Sequence, residues 1–131
     1  MIRAVLFDLD GTLADTAEDL ASALNRLRAE HRMAPLSPER TRAHTSGGAR
    51  GLLKVGFDLN PGDERYIPMR DRFLDLYEQA LCVHTQLYAG MAELLGELDR
   101  RTVAWGIVTN KPRRFTDPLL RKLRLQKAEA A

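Results

Sequence analysis

Apolar and polar positions along this chain follow two different periods. Residues 2–7 are short and largely apolar and stop at Asp8, Asp10 and Gly11, which predicts a strand buried on both faces, as parallel strands are. From Asp15 the period becomes helical. Ala17, Leu20, Leu24, Leu27 and His31 share one face, and Asp15 with Glu18 three residues on is spaced as an N-terminal capping pair. Pro35 ends that helix. Ser37-Pro38-Glu39 then reads as an N-cap followed by proline at the first helical position, and residues 49–55 as another short helix beyond the Ser46-Gly47-Gly48 break. Asn60-Pro61-Gly62-Asp63 is turn chemistry, with Asp63 expected to cap the next helix. Tyr66, Met69, Phe73, Leu76, Tyr77 and Ala80 form the clearest apolar stripe, set against Arg70, Arg72, Asp75 and Glu78.

After Tyr88-Ala89-Gly90, a stripe of Met91, Leu94, Leu95 and Leu98 predicts a helix ending near Arg100 and Arg101. A second apolar strand follows at residues 103–108 and stops at Thr109-Asn110-Lys111-Pro112, so the two strands are expected to run parallel. Thr116-Asp117-Pro118 is expected to open a last helix through Leu119, Leu120 and Leu123. The fold class is therefore α/β: a parallel core with an inserted α-helical cap. Residues 1–14 and 85–131 supply the core and residues 15–84 the cap, expected above the carboxyl ends of the strands where such sheets bind ligands.

Composition narrows the field without naming a partner. The chain has 131 residues, 44% hydrophobic and 29% charged, with a formal charge of +2, which argues for one globular domain and against a nucleic-acid or membrane partner. Cys82 stands alone, so a reducing, cytoplasmic setting is the default expectation. No apolar run approaches the ~20 residues a bilayer needs. His31, His44 and His84 are too scattered to suggest a metal site, Trp105 reads as core, and Cys82 reads as a buried small hydrophobe.

Chemistry concentrates at the end of the first strand. Asp8 and Asp10 lie two residues apart beside Gly11, so their side chains point the same way unless the backbone bends there. Two neighbouring carboxylates can divide the work of nucleophile and general acid/base.

Asp8-Leu9-Asp10-Gly11-Thr12-Leu13, together with Val108-Thr109-Asn110-Lys111, resembles the haloacid dehalogenase-like phosphatases. The Thr-Ser-Gly-Gly-Ala-Arg segment at 45–50 and Trp105-Gly106-Ile107-Val108-Thr109-Asn110-Lys111-Pro112 are similar to the branch of phosphoglycolate and N-acetylmuramic acid 6-phosphate phosphatases. The resemblance implies a Rossmann-like core and a small phosphorylated metabolite as substrate. It implies Asp8 as a nucleophile forming an aspartyl phosphate, and Asp10 as the acid that protonates the leaving oxygen and then activates water. Asp8 and the main-chain carbonyl of Asp10 would hold Mg²⁺, while Thr109 and the amide of Asn110 would bind phosphoryl oxygens. Arg50 is the candidate for an anionic group of the substrate, with a solvated surface arginine as the competing reading.

The same resemblance implies a lysine and a Gly-Asp-x-x-x-Asp acidic pair further along, neither of which occurs in these residues. Lys111 reads as part of the branch's Thr-Asn-Lys-Pro segment and not as that lysine. Arg124 stands where the family pattern has glycine, and residues 126–131 read as generic helix, so a truncation or frameshift near residues 124–131 is expected. Three consequences are expected with it: weak or absent turnover, an unpaired apolar edge on the first strand, and self-association through that edge. The alternative is a catalytically incompetent remnant or a phosphate-ligand binding protein.

Overall fold

The computed structural model describes residues 1–125; the helix expected over 126–131 lies outside them. The backbone forms two compact units, one from residues 1–16 and 85 onward, the other from residues 17–84.

In the first unit, β1 (Ala4–Phe7) pairs in parallel with β4 (Ala104–Ile107), Phe7 lying opposite Ile107. Between them run β2 (Ala14–Asp15) and β3 (Gln86–Leu87), a short antiparallel pair, and α5 (Met91–Arg100); α6 (Arg113–Lys122) follows β4. Asp15, one of the expected capping pair, lies in β2 with Gln86 opposite it. A two-residue strand leaves no periodic signature, so the capping pattern was the stronger local signal.

The expected burial of β1 on both faces is corrected. Phe7 is buried, but Leu6 is 69% exposed and Ala4 is exposed too. Among the described residues β1 has one neighbouring strand, and a two-stranded sheet offers too little cover for a second face. The α5 stripe is likewise half covered: Leu95 is buried and Leu94 is exposed. Trp105 is not core either, being half-buried with its indole N–H donating to Asp99 Oδ1 at 2.9 Å. Cys82 is intermediate in burial instead of buried.

α6 starts one turn before its expected opening. Pro112 precedes it, the N–H groups of Phe115 and Thr116 both donate to the Pro112 carbonyl at 3.0 Å, and Pro118 sits inside the helix. Fixed φ suits proline at the entry, whereas Pro118 removes one bond of the ladder. At the far end Arg124 adopts φ +62 as the Leu125 N–H closes on the Leu120 carbonyl at 2.7 Å. That is a left-handed helix end, which explains why glycine suits the position.

In the second unit α1 (Ala17–Glu30) packs against α2 (Pro38–Arg42), α3 (Gly48–Phe57) and α4 (Tyr66–Gln79). The stripe of α4 is buried as expected at Tyr66, Met69, Phe73, Leu76 and Tyr77. Ser37 caps α2, its Oγ accepting from the Arg40 N–H. His31 lies past the end of α1 and is exposed, its ring edge-on to Phe57 at 5.5 Å. Asp63 does not cap α4: its Oδ2 accepts from the Asn60 N–H at 2.8 Å and closes the preceding turn. Gly56 lets α3 approach α1, because a Cβ there would sit 2.6 Å from Leu24 Cδ1. Arg72 grips Glu30 through two nitrogens, at 3.0 and 2.6 Å, and this hydrogen bonding holds the Glu30 carboxyl below its ordinary range.

One buried acid in this unit carries no periodicity signal. Asp19, 2% exposed in the first turn of α1, accepts from the Val83 N–H at 3.1 Å and from the His84 N–H with both oxygens, at 3.1 and 3.0 Å. The first and last segments of the unit are thereby tied together, with negative charge at the favourable end of the helix. Charge-assisted hydrogen bonds of this kind contribute about 1.5–3 kcal/mol. Asp19→Ala is expected to lower stability by about 2–3 kcal/mol in urea denaturation followed by circular dichroism, and Arg124→Gly to raise it by ~1 kcal/mol by relieving a left-handed residue.

Candidate active site

The turn after β1 is pinned from inside. Leu9 and Leu13 are both fully buried, and the Leu9 carbonyl accepts from the N–H groups of Thr12, Leu13 and Ala14 at 3.3, 3.1 and 3.0 Å. Gly11, at φ +79, directs its N–H to the Ala14 carbonyl at 2.9 Å. With the leucines held in the core, the intervening carboxylates are left toward the outside: Asp8 is exposed and Asp10 half-buried.

Their surroundings differ. Asp8 Oδ1 accepts from the Leu9 N–H at 2.8 Å, and among the described residues no ion pair reaches it. Asp10 Oδ1 accepts twice, from Thr16 Oγ1 at 2.7 Å and from Lys111 Nζ at 2.8 Å. The Lys111 side chain is only 7% exposed and that of Asp10 25%. An ammonium removed from water this far needs a partner, and Asp10 supplies it.

The second strand brings its loop to the same end. The Val108 N–H donates to the Phe7 carbonyl at 2.8 Å, extending the β1–β4 pairing to the residue before Thr109. Thr109 Oγ1 accepts from the Lys111 N–H at 3.1 Å, which leaves its own hydroxyl hydrogen for an outside acceptor. Thr116 Oγ1 donates to the Lys111 and Pro112 carbonyls at 3.1 and 3.2 Å and braces the loop against α6.

Of the candidate residues, Asp8, Asp10, Thr109 and Asn110 belong to neighbouring strand ends of the first unit, with Asn110 exposed. Arg50 lies on α3 of the helical unit and is exposed. Lys111 joins this group through Asp10, although the sequence marks it only as part of the Thr-Asn-Lys-Pro segment. Its adjacency to Thr109 was visible in the sequence, but the return of its side chain to Asp10, 101 residues earlier, was not. Thr16 was missed for the same reason.

The donor set suits a hard cation. The Asp8 carboxylate and the Asp10 carbonyl are oxygens, and among the described residues no hydrogen bond ends on that carbonyl. Two protein oxygens with the rest water is a pattern Mg²⁺ accepts. Among the described residues no cluster of three or more His, Cys, Asp or Glu side chains forms a metal cage.

A parallel strand pair ending in two aspartates and a threonine, with a helical unit inserted in the chain between the two strands, defines an α/β core with a helical insertion. The chain belongs to the haloacid dehalogenase-like hydrolase family, which it matches over residues 5–128. It is 40% identical over 122 residues to the N-acetylmuramic acid 6-phosphate phosphatase of Pseudomonas aeruginosa, covering 93% of this chain and 54% of that protein. It is 36% identical over 129 residues to the phosphoglycolate phosphatase of Chromobacterium violaceum, covering 95% and 58%. The chain thus spans about half the length of the curated relatives it matches. Its fold is that of a predicted phosphoglycolate phosphatase from Haemophilus somnus, at a TM-score of 0.84 and 23% identity, covering 98% of this chain and 61% of that one. A haloacid dehalogenase-like family hydrolase from Streptococcus pneumoniae agrees at a TM-score of 0.80 and 20% identity, covering 98% and 60%.

The turn that carries the aspartates depends on Gly11 for conformation and not for space, since a Cβ there would meet nothing within 4 Å. Gly11→Ala is therefore expected to cost about 1–2 kcal/mol of stability through φ alone, measured by thermal unfolding. Gly62→Ala, equally unobstructed and without positive φ, is the control and should change little.

Proposed function

We propose that this centre hydrolyses small phosphomonoesters through an aspartyl phosphate on Asp8. The observation that carries the reading is the contrast between the two carboxylates: Asp8 is exposed and meets no cation among the described residues, while Asp10 is held by Lys111 and Thr16. An open carboxylate is suited to attack and a fixed one to proton transfer. The identities to N-acetylmuramic acid 6-phosphate and phosphoglycolate phosphatases make those two compounds the first substrates to test.

In the first step an Asp8 oxygen bonds to phosphorus, the bond to the ester oxygen breaks, and Asp10 gives its proton to the departing alkoxide. In the second, water gives a proton to Asp10 and bonds to phosphorus, releasing Asp8 and inorganic phosphate. The Thr109 hydroxyl and the Asn110 N–H donate to phosphoryl oxygens. Mg²⁺, when held by Asp8 and the Asp10 carbonyl, supplies positive charge against which a phosphate dianion can approach a carboxylate. Arg50 of the helical unit offers a planar fork for a second anionic group of the substrate.

Charge near Asp8 limits the rate. One unit charge at ~4 Å is worth roughly 4 kcal/mol at an effective dielectric near 20, or about a thousandfold in rate. Lys111 already faces Asp10. Phosphate release by this chain is therefore expected to be Mg²⁺-dependent and far below a typical ~10 per second, with Asp8→Asn abolishing it in a malachite green assay. Release that survives Asp8→Asn would overturn the proposal.

A further inference from the structure

We infer that Lys111 is a positioning residue of this centre: with Thr16, its ammonium occupies Oδ1 of Asp10, so that Oδ2 is the only oxygen that exchanges a proton with substrate and water. This rests on the function proposed above and concerns which atom of Asp10 acts. A carboxyl group in its protonated form has one carbonyl-type oxygen, with two lone pairs, and one hydroxyl oxygen. Asp10 Oδ1 accepts both Thr16 Oγ1 at 2.7 Å and Lys111 Nζ at 2.8 Å, which fills those two sites. A proton on Oδ1 would face two donors. The proton therefore sits on Oδ2, and the side chain is held in one rotamer from two sides.

Three observations make this a built contact and not a surface pair. The Lys111 side chain is 93% buried by the complement of its 7% exposure, where exposed ion pairs contribute little. Its backbone is fixed independently, the N–H on Thr109 Oγ1 and the carbonyl accepting from Thr116 Oγ1. The other donor, Thr16, is itself 2% exposed. The tripeptide Thr109-Asn110-Lys111 thus couples the strand end that faces phosphate to the carboxyl that handles the proton.

The test uses the full chain and two readouts. With N-acetylmuramic acid 6-phosphate and Mg²⁺, Lys111→Met is expected to lower kcat ten- to a hundredfold with KM within twofold, and Lys111→Arg, which keeps a cationic donor, to recover most of that loss. Side-chain ¹⁵N NMR is expected to show a Lys111 ammonium in slow exchange with solvent, assigned by its absence in Lys111→Met. A kcat for Lys111→Met within twofold of the parent overturns the inference, as does equal impairment of the Met and Arg variants that tracks the folded fraction. If the unsubstituted chain releases no phosphate, the proposed function fails and the NMR result decides the positioning claim by itself: a Lys111 ammonium in fast exchange overturns it.

Discussion

The contact between Lys111 and Asp10 ties together the two loops that leave the parallel strands. Asp10 rides on the turn that leaves β1, and Lys111 on the loop that leaves β4, so one ion pair joins segments 101 residues apart. The ammonium is almost out of water, so this pair is screened far less than an exposed one would be. The parallel register of β1 and β4 brings the two loops to the same end, and the pair then fixes them side chain to side chain.

From that constraint the different surroundings of the two aspartates follow. Leu9 and Leu13, sunk in the core, leave Asp8 and Asp10 toward the outside from a turn that glycine closes at positive φ. What separates the two acids is therefore not their backbone but their partners. Asp8 accepts from the Leu9 N–H with one oxygen and is otherwise exposed, whereas Asp10 is held by two donors on one oxygen.

Helices with a strong stripe could be read directly from the sequence, as in α4, because spacings of three and four residues encode burial on one face without reference to anything distant. That Asp8, Asp10 and Thr109 belong to neighbouring strand ends was also legible, through motif and resemblance. What stayed hidden depends on contacts across the fold. Asp19 looks like any acid in a first helical turn until the N–H groups of Val83 and His84 arrive. Lys111 looks like any lysine in a loop. The apolar run of β1 implies cover on both faces, yet burial depends on neighbours, and Leu6 stays exposed beside a single pairing strand. Asp63 and Pro118 mark a more local failure: each residue type favours a helix start, and here the closing of a turn and the earlier anchor at Pro112 took precedence.

Asp8 is the residue proposed to carry the phosphoryl group. Quenching the chain with borohydride during reaction with N-acetylmuramic acid 6-phosphate and Mg²⁺, then mapping peptides by mass spectrometry, tests it directly, since an aspartyl phosphate is reduced to homoserine where it formed. The account predicts homoserine at position 8 and unmodified Asp10. Homoserine at position 10, or phosphate release with no reduction at position 8, would contradict it.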